Sequence, residues 1–296
     1  MAMKECMKHS ISPGRFPTSP ESLPPQRAFT LIELLTLIAI LGFLGLLLLP
    51  ALAKTRPSTQ AMVCQNNLRR LLAATQIYAS DNSDYLPPNQ DDGAAGNWVA
   101  GSVSDQVGAT NMANLTNPQL ARLAPYAGAT PGLYKCPADT STFTIAGIPY
   151  PRVRSVSMNG AVGTQRGQIS SSPIAVNGPW LDGNHTHSVG QTWRTYGKLA
   201  DMVVPNPSSL IVFIDEDPLS INDGAFSAEM VSTDWLNFPA TSHNYGGTFA
   251  FGDGHAEVHQ WVDASTRCPN PATRVHVTGS TNDIGWMEAR ISARIY

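Results

Sequence analysis

From Leu34 to Ala53 the chain reads LLTLIAILGFLGLLLLPALA, twenty residues without a charge. About 20 apolar residues are what a helix needs to cross a ~30 Å hydrocarbon core. In lipid such a segment must satisfy its own backbone hydrogen bonds, so the run predicts a transmembrane helix over 29–53. Pro50 lies near its far end, where a missing donor and a crowded preceding turn predict a kink. The pattern then changes. Cys64, Leu68, Leu71, Leu72, Thr75, Tyr78 and Ala79 recur at helical spacing on one face, with Arg69, Arg70 and Gln76 elsewhere. This predicts an amphipathic continuation over 54–86, ended by Asp81-Asn82-Ser83-Asp84 and barred from resuming by Pro87-Pro88.

Beyond residue 87 the spacing becomes strand-like and broken by loops. Ser209–Ile214 is a continuous β-favouring apolar run and predicts a central strand. Gly247–Phe251 and Ala256–Trp261 flank Gly252-Asp253-Gly254-His255, which predicts a β-hairpin. The fold expected is α+β: a long N-terminal transmembrane helix packed on a small antiparallel β-sheet domain, 87–296, with long loops.

Composition agrees with that division. The chain has 24 Gly and 23 Pro, favouring short strands and turns over a helical bundle. A net charge of -3 offers no basic field, so no nucleic-acid partner is expected. Residues 1–28 are polar and Pro-rich, with Lys4, Lys8, Arg15 and Arg27. A positive flank stays in the cytoplasm, which puts the C-terminal bulk on the far side of the membrane.

Between leader and apolar run stands Arg27-Ala28-Phe29-Thr30-Leu31-Ile32-Glu33-Leu34-Leu35. A carboxylate on the edge of a membrane segment is costly and has a partner or a job. The string resembles the type IV prepilin signature. The resemblance implies a leader, 1–28, removed by a prepilin peptidase between Ala28 and Phe29, and methylation of the new amino group of Phe29. It implies that Glu33 pairs with the N-terminal amine of a neighbouring subunit during filament assembly. Pro50 stands where many pilins have a kinking proline. Ala28 stands where the family usually has Gly.

A second resemblance covers more of the chain. CQNNLRRLLAATQIYASDNSDYLPPN, from Cys64, is similar to a stretch in a pseudopilin subgroup that also carries an H-X9-DG ending. Here that ending is His243, nine residues, then Asp253-Gly254. Tyr134-Lys135-Cys136-Pro137-Ala138-Asp139 and Ser157-Met158-Asn159-Gly160 resemble the same subgroup, so the likeness spans most of 27–262. It implies a pilin-like structural subunit of a type II secretion pseudopilus or type IV pilus-like filament. That subunit would be single-pass in the inner membrane with a periplasmic domain, and its partners would be the peptidase and other pilin subunits.

Rival readings remain open. Ala51-Leu52-Ala53 is an A-x-A site, and cleavage there would release a protein beginning at Lys54. A plain membrane anchor is another. A carbohydrate-binding domain would use Trp98, Trp180, Trp193, Trp235 and Trp261, although tryptophans more often fill cores. A metal-dependent hydrolase would use Asp215, Asp253 and His243. No nucleophile elbow, phosphate loop or metalloprotease motif is present, and the expectation is a non-enzymatic assembly subunit.

The four cysteines are Cys6, Cys64, Cys136 and Cys268, with no CxxC spacing. Cys6 falls in the leader. Outside the cytoplasm disulfides persist, and a Cys64–Cys136 bridge is expected to staple helix to domain, worth ~4 kcal/mol in the chain-entropy model. Two free buried thiols are the alternative. Asp215-Glu216-Asp217 with Asp253 offers oxygen ligands for a structural calcium, an option the pseudopilin likeness raises. A transition metal would recruit His243 and His255. The plainer reading makes the triplet a solvated turn, with Asp253 shaping its own turn and His243 bonded to it. His185-Thr186-His187 reads as an exposed loop.

Overall fold

The computed structural model describes residues 30–167, 172–267 and 275–296; the side chains of 45–58 are outside that description. Ala28, Phe29, Cys6 and Cys268 fall outside the described residues, as does the side chain of Pro50.

The elements in chain order are α1 (Leu31–Asp81), α2 (Ala113–Thr116), β1 (Thr142–Ile145), β2 (Ile148–Pro151), β3 (Val156–Asn159) and β4 (Ile211–Asp215). They continue with β5 (Ala225–Phe226), β6 (Asp234–Trp235), β7 (Gly246–Phe251), β8 (Ala256–Gln260), β9 (Val275–His276) and α3 (Asn282–Ile291). The fold is mixed α+β with several small sheets: a five-stranded one ordered β5-β3-β4-β7-β8 and two two-stranded ones, β1-β2 and β6-β9.

The chain forms two compact units, 1–51 and 52–296. Among the described residues of the first, the helix is apolar and exposed on every side, as at Leu31, Ile32, Leu35, Ile38, Leu41 and Phe43. Among the described residues, no helix is long and apolar enough to cross a membrane. The apolar run Leu34–Ala53 continues past residue 44 into positions whose side chains are not described.

In the second unit the stripe on α1 is a core face, as its spacing predicts. Cys64, Leu68, Leu71, Leu72, Thr75 and Ala79 are buried, and Tyr78 is half-buried against Tyr126. The helix stops at Asp81, where Ser83 and Asp84 take positive φ (56° and 72°) and the Asp84 amide returns to the Ala79 carbonyl. The predicted central strand is β4, every residue of it buried, in the middle of the larger sheet. Its burial on both faces explains the unbroken apolar run. The predicted hairpin is β7-β8, paired antiparallel from Gly246↔Gln260 to Ala250↔Ala256. Gly254 at its tip has φ 104°, a conformation that side chains oppose. One feature departs from an all-antiparallel sheet: β5 adds to the edge parallel to β3. The chain reaches β5 from β4 by the crossing stretch 216–224 rather than by a hairpin.

Candidate functional site

Four buried side chains from four separate parts of the second unit meet at one point: Cys64, Cys136, Asp215 and His243. Their ligand atoms all lie within 4.8 Å of one another. Cys64 comes from the buried face of α1. Cys136 sits in the loop after the 3-10 turn Pro131–Tyr134, and this loop is tied to α1. Asn67 donates to the Gly132 carbonyl (3.1 Å), and Gln60 donates to the Pro137 carbonyl (3.2 Å). Asp215 ends β4. His243 precedes β7, followed by Asn244 and Tyr245 at φ 56° and 62°, the left-handed region that non-glycine residues seldom occupy. The chain thus turns sharply just after the imidazole, and Gly246 and Gly247 follow where a Cβ would meet the His259 and Ala240 carbonyls.

The contacts are specific. Cys136 Sγ stands 3.2 Å from His243 Nε2, and Cys64 Sγ donates toward Asp215 Oδ2 at 3.7 Å. His243 Nε2 is 3.9 Å from Asp215 Oδ2. Ser155 joins two members: its hydroxyl donates to Asp215 Oδ1 (2.8 Å) and accepts from the Cys136 amide (2.9 Å).

Burial sets the charge state. It pushes the Asp215 carboxyl well above the usual carboxylate range, and the neighbouring Cys136 adds to this. It holds His243 below its ordinary value, against the pull of Asp215. Burial therefore opposes the charged form of both groups. The two thiols titrate as a pair. Cys136 is brought down to about 7, chiefly by the Cys64 thiol donating to it and further by the Ala138 and Asp139 amides. Cys64 is held up by that same bond and by burial.

Cys64 and Cys136 are brought together, yet as free thiols and not as the expected bridge. Besides the other cysteine, each sulfur has a polar neighbour outside the pair, Asp215 for Cys64 and His243 for Cys136. The four residues offered for calcium are not assembled. Successive strand positions point to opposite faces, so Asp215 joins the cysteines while Glu216 turns to Ser157 (2.5 Å), Ser220 (2.9 Å) and Asn237 (2.7 Å). Asp217 is half-buried and accepts from the Leu219 amide, and Asp253 is on the hairpin tip. The solvated-turn alternative fails too, because Asp215 and Glu216 are 1% and 0% exposed. Asp253 does shape its own turn, accepting from the His255 amide and ring (3.1 and 2.6 Å). His243 is not its partner, which separates Asp253 and His255 from the Asp215–His243 pair. Trp98, Trp235 and Trp261 are core residues, whereas Trp180 lines a surface cavity and donates to Asp91 (2.7 Å). In the loop read as exposed, His185 is exposed but His187 is buried, its Nδ1 2.6 Å from the Asn177 carbonyl.

At the N-terminal end of α1, Glu33 serves its own helix. Its Oε2 accepts from the Thr30 amide (2.9 Å) and hydroxyl (2.7 Å), while the Thr30 hydroxyl accepts from the Glu33 amide at 3.4 Å. This is a capping box. Thr-x-x-Glu before an apolar run is the sequence signature of this cap, with Thr30 as its first residue. Another buried network was missed: Arg154, fully enclosed, donates to the carbonyls of Val156 (2.7 Å), Asn222 (3.2 Å) and Asp223 (2.6 Å). No sequence pattern announces it.

No protein family matches this chain, and neither a curated protein nor a solved structure is similar to it.

Proposed function

We propose that this chain is a prepilin-type assembly subunit. It is cut before Phe29, methylated there, held in the inner membrane by residues 29–53, and then built with other subunits into a type II secretion pseudopilus or type IV pilus-like filament. The observation that carries the reading is the described start of α1. Residues 31–44 are apolar with their large side chains exposed all around, and the one carboxylate, Glu33, sits at the first turn. A helix apolar on every side needs lipid or other helices around it. Those two surroundings are the ones a pilin helix occupies in turn.

The finer fold reading belongs to the same proposal: a long pilin-like helix whose second half is built into a β-rich periplasmic domain. The buried stripe from Cys64 to Ala79 supports it. In the filament, Glu33 would exchange its own helix cap for the methylated amine of a neighbour. A buried carboxylate is tolerable when so paired. The domain supplies scaffold and contact surface, not turnover.

The test is intact mass and N-terminal sequencing of the protein from membranes of a host with prepilin peptidase. A start at methylated Phe29 is expected. A start at Lys54 would mean an ordinary secreted protein and would remove the filament reading.

A further inference from the structure

We propose that Cys64, Cys136, Asp215 and His243 bind a divalent transition metal ion of the zinc type, joining α1, the Cys136 loop, the central strand and the segment before β7. The inference goes beyond the filament reading and stands without it.

Geometry comes first. A tetrahedral zinc ion with sulfur at ~2.3 Å and nitrogen or oxygen at ~2.0–2.1 Å sets its ligands roughly 3.4–3.8 Å apart. The three separations resolved here are 3.2 Å (Cys136 Sγ to His243 Nε2), 3.7 Å (Cys64 Sγ to Asp215 Oδ2) and 3.9 Å (His243 Nε2 to Asp215 Oδ2). No pair of the four ligand atoms exceeds 4.8 Å. Ordinary side-chain adjustments therefore close the tetrahedron.

The donor set then selects the ion. Two sulfurs and an imidazole are soft to intermediate ligands, which suit zinc and exclude the all-oxygen cage that calcium takes. Two thiolates, one carboxylate and a neutral imidazole total three negative charges, which the ion reduces to one. Four protein ligands leave no open position, so the site is structural and not catalytic. The supporting contacts match that role. Ser155 orients both Asp215 and Cys136, and the Ala138 and Asp139 amides point at the Cys136 sulfur. Outer hydrogen bonds of this sort hold metal ligands in place. A cleft between the Ala138–Ser141 loop, the end of β4 and Thr241-Ser242 reaches Asp215 and provides access.

The arrangement also gives one physical purpose to scattered sequence features. The Cys64 stretch, the Lys135-Cys136-Pro137 loop and the His of H-X9-DG each contribute a ligand. Because the ligands are far apart in sequence, binding free energy becomes folding free energy. The other fate of the same cysteines is a disulfide, which would consume both sulfurs and abolish the site.

The test uses the full chain in detergent, purified under reducing conditions. Zinc is measured by mass spectrometry of the elements, and cobalt(II) is added as a spectroscopic probe. The expected result is stoichiometric zinc, a tetrahedral cobalt–thiolate absorption, and loss of both in Cys136→Ser. If that variant does not fold, His243→Cys serves instead: it should keep cobalt with a shifted absorption. The proposal is overturned if reduced, folded protein takes up no cobalt, or if cobalt absorption is unchanged in His243→Cys. It is equally overturned if the protein from membranes carries a Cys64–Cys136 disulfide and, once reduced, binds no metal.

Discussion

Glu216→Gln should make the protein more stable at alkaline pH and leave it nearly unchanged in acid. The Glu216 carboxyl is fully buried beside β4, accepting from Ser157, Ser220 and Asn237. Burial raises it from its ordinary 4.5 to about 7, despite those hydrogen bonds and the nearby Arg154 charge. The sign follows from proton counting. Between about pH 4.5 and about pH 7 the native state keeps a proton that the unfolded chain has lost, so stability falls as pH rises through that window. A rise from 4.5 to about 7 corresponds to roughly 3 kcal/mol lost once the pH exceeds both values. An amide fits the same site. Its oxygen accepts from Ser220 and Asn237, and its nitrogen donates to the Ser157 hydroxyl, which can rotate to accept. It carries no charge to desolvate. Urea unfolding of the full chain in detergent, followed by the fluorescence of buried Trp98, Trp235 and Trp261, should give coincident stabilities near pH 4. The variant should be ahead by about 3 kcal/mol near pH 8. Asp223 is raised to about 8 and Glu288 to about 7, so the variant keeps a slope of the same sign, only a shallower one. Parallel curves for the two proteins would refute the reasoning, because they would place Glu216 in a solvated or charge-paired setting.

Asn159→Ala should cost about 3 kcal/mol, since it orphans several buried groups. The Asn159 amide donates to the Ile211 and Ile291 carbonyls (2.9 Å each), and its oxygen accepts from the Ala161 amide (2.9 Å). Hydrogen exchange should show the end of α3 opening first, and a stability within ~0.5 kcal/mol of the parent would contradict the assignment. Glu33→Ala should still enter the membrane fraction but fail to join filaments in a piliated host. Incorporation at the parental level would remove Glu33 from assembly.

Much of this protein is legible because its elements carry short-range periodicities. An uncharged twenty-residue run, a helical stripe from Cys64 to Ala79, a β-favouring run ending at Ile214 and a Gly-Asp-Gly turn each describe one element. Helix α1, strand β4 and hairpin β7-β8 lie where those patterns place them. The parallel edge strand β5 was not legible, because two residues carry no period and their pairing depends on a partner nearly seventy residues earlier in the chain. The residues offered for calcium do not converge for a related reason. Adjacency in Asp215-Glu216-Asp217 looked like convergence, but a strand sends neighbours to opposite faces.

The sequence by itself determined which residue types were present for chemistry and that the segments of α1, β4 and the β7-β8 hairpin would be helix or strand. Phe29 and Glu33, and the two cysteines most in need of an explanation, can be picked out by reading alone. Only the tertiary structure decided that Cys64, Cys136, Asp215 and His243 share one point. Their meeting depends on the packing of α1 against the sheet and on the bend after His243, and a local pattern along the chain holds no record of distances between segments so far apart.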